Sequence, residues 1–531
     1  MRKKRLDNLK QYWGVPSKEV YSKEQFSKIE KYFVSKHKDD YSLDQVTWDD
    51  LDMDSIFSLL NHTSSSIGEE YLYDVLHRQM VGQGELDQRE QLILLFESEE
   101  DIRYQTMGAL RRMGKTKKIS IFEYIMKSQE RLHLNPKLDL FCGVGFLGSF
   151  ISLFQSFGSY KWKLPLFVFF VAFNIISYYR KKAKVFDYMY IYAYILRMMD
   201  AGKSILKLEH EILAPYQQRI KSALKGLGKF QRGSFLVQAG NFSGDPLDIF
   251  MDYLRMLLHF DLLKLVSMGR EIGRHQYELV VLYEELGKLD AMISVAGFRE
   301  YLKGDYSIPV FLEQKNPFLA MEELYHPLIL HPVKNSIVLQ GDIMLTGSNA
   351  SGKSTFLKAV AINAILAQTI NTALAKKYEG VFFKTVSSMS IRDNILYRES
   401  YYVAEIKNLK RILDGFTKEV PTLCFIDEVL RGTNTIERIS AASEILKKIS
   451  TSNAVCLVAT HDGELTKLCE DYYTNYHFSE KIEEGDVVFD YCLKPGVATS
   501  SNAIRLLEAF GFDSDIIEAA KARMEMLLHG G

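Results

Sequence analysis

Several residue types are scarce in this sequence, and each scarcity excludes something. Cysteine is rare: Cys142, Cys424, Cys456, Cys469 and Cys492 are scattered and form no CxxC pair. That argues against a zinc site or a disulfide framework and suits a reducing cytoplasm. Proline is sparse, 11 in 531 residues, and before about Asn135 it almost vanishes, which fits long uninterrupted helices. Excess charge is absent, since 66 Lys and Arg face 67 Asp and Glu. A nucleic-acid surface would therefore have to be a local basic patch, because net charge supplies no steering. The basic N-terminus MRKKRLDNLKQYWG is followed by polar sequence and lacks the apolar core of a signal peptide. The charged and apolar fractions are those of an ordinary folded protein, and the length exceeds one hydrophobic core, which predicts about two to four domains.

What is present falls into blocks. Residues 1–135 read as helical, with apolar residues at three- and four-residue spacing and Gly and Ser breaks between, as in SIFSLLNHTSSSIGEEYLYDVLHRQM. Residues 136–184 change character. FCGVGFLGSFISLFQSF carries no charge, a short loop GSYKWK follows, and LPLFVFFVAFNIISYY leads into RKKAK, with Arg180, Lys181, Lys182 and Lys184. About 20 apolar residues cross a bilayer, and Tyr160, Trp162, Tyr178 and Tyr179 are placed to sit in its interfaces. The segment is expected to be a transmembrane helical hairpin spanning residues 140–179. A buried helical hairpin inside a helical domain is the alternative. The excess of basic residues after the second helix puts both large portions on the cytoplasmic side. The expected location is thus cytoplasmic-facing and anchored in the cell membrane. The helical pattern resumes over 185–315, and from 316 to 531 strands and helices alternate, which implies a mostly parallel sheet covered by helices on both faces.

The chemistry concentrates in that last block. GSNASGKST, Gly347 to Thr355, fits G-x-x-x-x-G-K-[ST] between a strand, IMLT, and an apolar helix. Its glycines let backbone N–H groups cradle a β-phosphate at a helix N-terminus. Lys353 is placed to reach the β- and γ-phosphates and Ser354 to ligate Mg²⁺. In LCFIDEV a buried strand delivers Asp427 and Glu428 to the sheet edge, Asp427 to hold Mg²⁺ through water and Glu428 to polarise the attacking water. His461, after the apolar strand of LVATHDGEL, can hydrogen-bond a γ-phosphate or that water; a satisfied structural histidine is the plainer reading. Ser400 opens an amphipathic helix as an N-cap. The expected cofactors are ATP and Mg²⁺.

GSNASGKST, the RDN…ES-Y-x-x-A-E-I block, FIDEVLRGTNT and ATHDGEL occur in the same order as in the MutS family of DNA mismatch repair ATPases, which this chain resembles. The tail PGVATSSNAIRLLEAFGFDSDIIEAAKARM and the entry LYHPLI around His326 and Pro327 resemble that family as well. NHTSSSIGEEYLYDVLHRQM with LDQREQLILLF is similar to the start of its lever domain, and LGKLDAMISVA around Asp290 to its end. The resemblance implies an ABC-like P-loop ATPase domain with C-terminal dimerisation helices, preceded by an all-α lever-type domain that the hairpin interrupts. It also implies phosphate binding by Gly347, Asn349, Gly352, Lys353, Ser354 and Thr355, with Ser354 and Asp427 at the metal. Catalysis falls to Glu428, with His461 coupling hydrolysis to conformation. Ser400 is implied to touch the partner's nucleotide in a homodimer, and Arg431, Gly432, Thr433, Asn434 and Thr435 to form the interface loop.

The sequence also departs from the family. No Phe-x-Glu wedge opens an N-terminal recognition domain, since Phe96-Glu97 lies inside a helical run, and no long charged DNA clamp is evident. The chain reaches lever-like sequence within about 50 residues, which leaves no room for a recognition and a connector domain before it. The aromatic adenine-stacking position, before Asn335, is occupied by Pro332, which shifts the expected base contact to His331. Two functions stay open: a membrane-tethered, ATP-gated dimer that binds DNA, in mismatch repair or DNA-structure sensing, or a membrane-anchored switch that moves a protein partner. Arg111, Arg112, Lys115, Lys117 and Lys118 are candidate local DNA contacts. A third reading, an ABC-type transporter, is opposed by the single hairpin and the missing LSGGQ-like signature.

Overall fold

The chain before residue 303 is helical: α1 (Lys23–Ile29), α2 (Lys31–Ser35), α3 (Gln45–Asp50), α4 (Met53–Leu60), α5 (Ser66–His77), α6 (Gln83–Ser98), α7 (Glu100–Arg111), α8 (Ile121–Arg131), α9 (Pro136–Phe154), α10 (Tyr160–Ile205), α11 (Ala214–Gly226), α12 (Gly228–Gln231), α13 (Pro246–Leu258), α14 (Phe260–Arg274) and α15 (Gln276–Leu302). The structure is a computed structural model and describes residues 10–11, 13–16, 20–36, 41–116, 119–131, 136–155, 160–231, 246–348, 351–389, 401–431, 433–483, 486–498, 504, 507–508 and 511–529. Local chemistry sets several helix starts. Ser22 and Gln25 form a capping box on α1, Asp44 accepts from the Thr47 N–H, and Ser65 accepts from the Gly68 N–H.

At the centre α5 packs against α15, although nearly 200 residues separate them in sequence. The contact is close because Gly68 has no side chain: a Cβ there would meet the Asp290 carboxylate at 2.2 Å. That carboxylate in turn accepts from the N–H groups of Ser64 at 3.0 Å and Ser65 at 2.9 Å, capping the start of α5. The two segments that resemble the start and the end of a lever domain therefore hold each other. One continuous apolar core includes residues from both helical blocks.

α9 and α10 are long and apolar enough to cross a membrane, by length and composition. Within the stretches Pro136–Phe154 and Tyr160–Lys182 only 28% and 11% is buried, so Phe141, Val144, Phe154, Trp162, Val168 and Phe169 stand exposed. The hairpin foot is polar and dry. Asn174 donates to the carbonyl oxygens of Cys142 at 2.9 Å and Leu257 at 2.7 Å. His259 bridges Asp139 at 2.8 Å and the Asn174 carbonyl at 3.0 Å, and Lys181 pairs with Asp139 at 2.5 Å. The boundary expected at residue 184 falls inside α10, which runs without a break to Ile205. The basic cluster closes the apolar stretch in sequence, yet it costs a continuing helix little, because Lys and Arg are good helix formers.

Beyond α15 the elements alternate: β1 (Val310–Phe311), β2 (Leu319–Leu324), β3 (Asn335–Leu339), β4 (Asp342–Thr346), α16 (Lys353–Ile370), β5 (Lys377–Gly380), β6 (Lys384–Ser388), α17 (Tyr401–Asp414), β7 (Thr422–Asp427), α18 (Thr435–Ser450), β8 (Ala454–Ala459), α19 (Gly463–Leu468), β9 (Tyr473–His477), β10 (Glu480–Glu483), β11 (Asp486–Phe489), β12 (Lys494–Pro495) and α20 (Ser514–His529). Among the described residues, one sheet has the order β12-β9-β4-β8-β7-β6, parallel except for β12 at its edge. A second sheet, β1-β5-β2-β3, is mixed, and β10 and β11 form a hairpin.

Side chains join the helical region to the sheet and to α16. β6 is an edge strand, and the N–H groups of alternate residues are met by side chains from the helical region. Thr385 donates to Gln79 at 2.9 Å, Ser387 to Thr47 at 3.1 Å and Met389 to Asp50 at 2.8 Å. The C-terminus of α16 is gripped by Arg299 of α15. Its guanidinium donates to the Thr372 hydroxyl at 2.9 Å and the Asn371 carbonyl at 2.8 Å, and it pairs with Glu90. A cation there also suits the negative end of the helix dipole.

Candidate active site

β4 is buried at every position, so the chain leaves it with a fixed direction and turns through Gly347 and Gly352 into α16. Gly347 has a φ of 144° and Gly352 of 104°, conformations that favour glycine. A Cβ on Gly347 would stand 2.8 Å from the Phe478 carbonyl oxygen, and one on Gly352 would stand 3.1 Å from the Tyr491 ring. The turn is thus tight, and it opens on the N-terminus of an 18-residue helix, where orphan N–H groups and the dipole attract an anion.

Lys353 is buried, and its ammonium donates to the carbonyl oxygens of Gly347 and Ser348 at 2.8 Å each. Burial lowers its pKa, while Asp427, Glu428 and Glu480 oppose that shift. Asp427 ends β7 after five buried residues, and its carboxylate accepts from the Ser354 hydroxyl at 2.5 Å. A hydroxyl and a carboxylate in such contact are the oxygen donors that a hard cation such as Mg²⁺ takes. No cluster of three His, Cys, Asp or Glu side chains among the described residues could hold a metal. A cation here would accordingly draw its other ligands from a phosphate and from water.

Glu428 follows with a φ of 61°, rare for a residue with a side chain. Its N–H donates to the Ala459 carbonyl at 2.9 Å, which ties the turn to β8. Its carboxylate lies 2.5 Å from Arg431 Nε and 3.3 Å from His461 Nε2. The same ring nitrogen is 3.3 Å from Lys353 Nζ. It can accept from the ammonium or donate to the carboxylate, but not both at once. Burial, then the charge of Lys353, lowers the imidazole pKa and favours the neutral ring.

These groups line a cavity of about 670 Å³. Its other side is formed by residues including His326, His331, Pro332, Phe356 and Tyr491. His326 has its pKa pushed down to about 4, chiefly by burial. Asn335 fixes this wall: its side chain donates to the Tyr491 carbonyl at 3.0 Å and accepts from the Leu493 N–H at 2.8 Å. The Tyr491 ring is thereby set against the glycine turn, and nothing in the local sequence marks it. Glu405 is a second residue without an assigned role. It is buried on α17 and accepts from the Arg431 N–H at 2.9 Å.

The structure thus brings Gly347, Gly352, Lys353, Ser354, Asp427, Glu428 and His461 together, with Thr355 exposed on the first turn of α16. Asn349, Ser400 and Gly432 lie outside the described residues. Asn434 caps α18 by accepting from the Ile436 N–H at 3.0 Å, and Thr435 is that helix's first residue.

Residues 343–528 match the family described as MutS domain V. The DNA mismatch repair protein MutS of Thermotoga maritima is 29% identical over 269 residues, covering 49% of this chain and 33% of the relative. The proteins of that name from Thermus caldophilus and Shouchella clausii are 27% and 26% identical over 264 and 277 residues, covering 49% and 50% of this chain and 31% of each relative. The chain spans about a third of the length of these relatives. The glycine turn, both carboxylates and the histidine all lie inside the matched segment, and that segment is a domain of the MutS family.

Proposed function

We propose that this protein hydrolyses Mg-ATP to ADP and phosphate as a MutS-type homodimer acting on DNA, while its hairpin holds it in the cell membrane with both large portions on the cytoplasmic side. The convergence of Lys353, Ser354, Asp427, Glu428 and His461 at one end of a nucleotide-sized cavity carries the reading.

In it, the glycine turn and Lys353 bind the phosphates, and Tyr491 offers the base the aromatic face that Pro332 cannot supply. Ser354 and Asp427 hold Mg²⁺, whose chemistry is to neutralise charge on the phosphate oxygens. Glu428 orients the attacking water and accepts its proton. The neutral His461, poised between ammonium and carboxylate, registers whether Lys353 is engaged elsewhere. Ser400 and the loop from Arg431 to Thr435 complete the partner's site. The DNA part of the reading is supported by what the relatives are named for, and the membrane part by the exposed apolar hairpin.

The test uses detergent-solubilised full chain. Lys353→Ala is expected to lose ATP turnover by at least about a hundredfold, the scale of one transition-state contact. Glu428→Gln is expected to bind ATP and not release phosphate. Wild-type turnover in Lys353→Ala would remove the site assignment. Binding of plain, mismatched and branched duplexes, with and without ATP, tests the DNA part. If none binds while a protein partner is retained, the chain is a membrane-anchored switch on that partner instead.

A further inference from the structure

We infer that a basic face on the helical region, assembled from α7, α10, α11 and α12, is where duplex DNA lies, held by its phosphate backbone; this rests on the DNA reading above.

Three separate segments meet there. Arg112, just past the end of α7, donates to Ser204 Oγ on α10 at 2.9 Å. Next to it, Lys203 Nζ donates to Gln231 of α12 at 2.5 Å. α11 lies tight on α10 because Gly202 has no side chain, so that Ile220 and Leu224 pack against its backbone. From Ile212 to Gln231 the chain carries Arg219, Lys221, Lys225 and Lys229 and no acid. Arg112, Lys207, Lys221, Lys225 and Lys229 are exposed. Lys221 and Lys225 stand one turn apart on α11, about 6 Å, Lys229 follows on the short α12, and the three form no ion pair among the described residues. Of the acids nearby, Glu285 pairs with Arg219 at 2.6 Å, Asp200 lies 3.7 Å from Lys203 and Glu278 lies beside Gly226, while Glu209 and Glu211 stand exposed between α10 and α11. Lys115, a candidate contact in the sequence, turns inward to Glu69 at 3.0 Å and leaves this face.

The position selects the partner. Tyr192, against whose ring Phe230 packs beside Lys229, follows Lys182 by 10 residues along one continuous helix, roughly 15 Å at 1.5 Å per residue. That is about two screening lengths, each about 8 Å at physiological salt, from headgroups around the hairpin. A row of lysines without ion pairs among the described residues, screened from the headgroups on a chain whose net charge is only −1, suits the regularly spaced phosphates of a duplex.

The test compares wild type with a Lys221→Gln, Lys225→Gln, Lys229→Gln triple variant, each full chain in phosphatidylcholine nanodiscs, titrated with a plain duplex across a salt series. The expected result is weaker binding by tenfold or more at low salt, and a plot of log affinity against log salt shallower by roughly 2 to 3, near 0.9 per lost phosphate contact. Turnover of ATP without DNA stays unchanged and reports an intact fold; a triple arginine variant keeps the affinity. An unaltered salt slope overturns this face while leaving DNA binding in place. Wild type that binds no duplex overturns the DNA reading and this face with it. A variant that loses binding to phosphatidylglycerol nanodiscs, with duplex binding intact, assigns the face to lipid and overturns the inference.

Discussion

α16 and the first half of α10 have similar compositions and opposite fates. Both are long apolar helices that carry few charges. In α16 nearly every side chain from Lys353 to Ile370 is buried, while Val168, Phe169, Phe173 and Ile176 of α10 are exposed. A helix that is apolar all round needs a complete apolar surrounding. α16 finds it between the sheet and the helical region, and α10 does not find it among the described residues. Each also holds one fully buried asparagine that ties it to its neighbours. Asn363 donates to the carbonyl oxygens of Tyr325 at 3.1 Å and Ala359 at 2.9 Å and accepts from the Leu374 N–H at 2.6 Å. Asn174 does the corresponding work at the hairpin foot. Composition thus fixes what a helix requires, and only packing shows who supplies it.

The comparison breaks most plainly at Val168. Val168→Arg is expected to weaken membrane insertion by about 3 kcal/mol if lipid surrounds that residue, seen as protein lost from floated membranes. If the variant floats and melts like wild type, the hairpin does not lie in lipid. Asn363→Leu comes next. It leaves the Leu374 N–H and the Tyr325 carbonyl unmet in a dry core, at a cost of about 2 kcal/mol read by chemical denaturation. Asn174→Leu is expected to cost less, about 0.6 kcal/mol, the average for hydrogen bonds among membrane helices. A larger loss for Asn174 than for Asn363 would reverse the contrast. The last effect concerns a buried group that can change its charge, and its size is set by pH. Glu70 on α5 accepts from Tyr283 at 2.8 Å and Ser120 at 3.0 Å, and burial raises its pKa to about 7. For an acid so raised, the folded state holds its proton more tightly than the unfolded chain. Its contribution is complete below about pH 4.5 and is lost as pH climbs towards 7. Wild type should therefore lose about 1 kcal/mol per pH unit relative to Glu70→Gln between pH 5 and 7. Parallel pH profiles for the two would dismiss the shift.

Much of the site could be read from sequence because its parts are local. GSNASGKST contains its own strand exit, turn and helix start, and FIDEV contains a buried strand with its terminal acids. Tyr491 and Glu405 could not be read so. Tyr491 reaches the glycine turn only because Asn335, 156 residues earlier, holds its backbone, and Glu405 acts through a contact with the Arg431 N–H across a turn. In the fold, the long apolar helices and buried strands announced themselves by period. β1, two residues long, has no period to show, and the contact of Gly68 with Asp290 depends on a pairing that no local pattern encodes. RKKAK closes the apolar stretch at residue 184 in sequence, and that the same helix carries on to Ile205 depends on packing that no local pattern encodes.

The unbroken span from Tyr160 to Ile205 has a mechanical consequence. At 46 residues it is a rod of about 69 Å. A tilt of about 5° at one end carries the other through roughly 6 Å, more than a full helical turn. Its last turns lie beside α7 and α11, and its first turns are the outer arm of the hairpin. A rearrangement among those helices too small to disturb their packing would arrive at the far end as a displacement large enough to change what the hairpin touches.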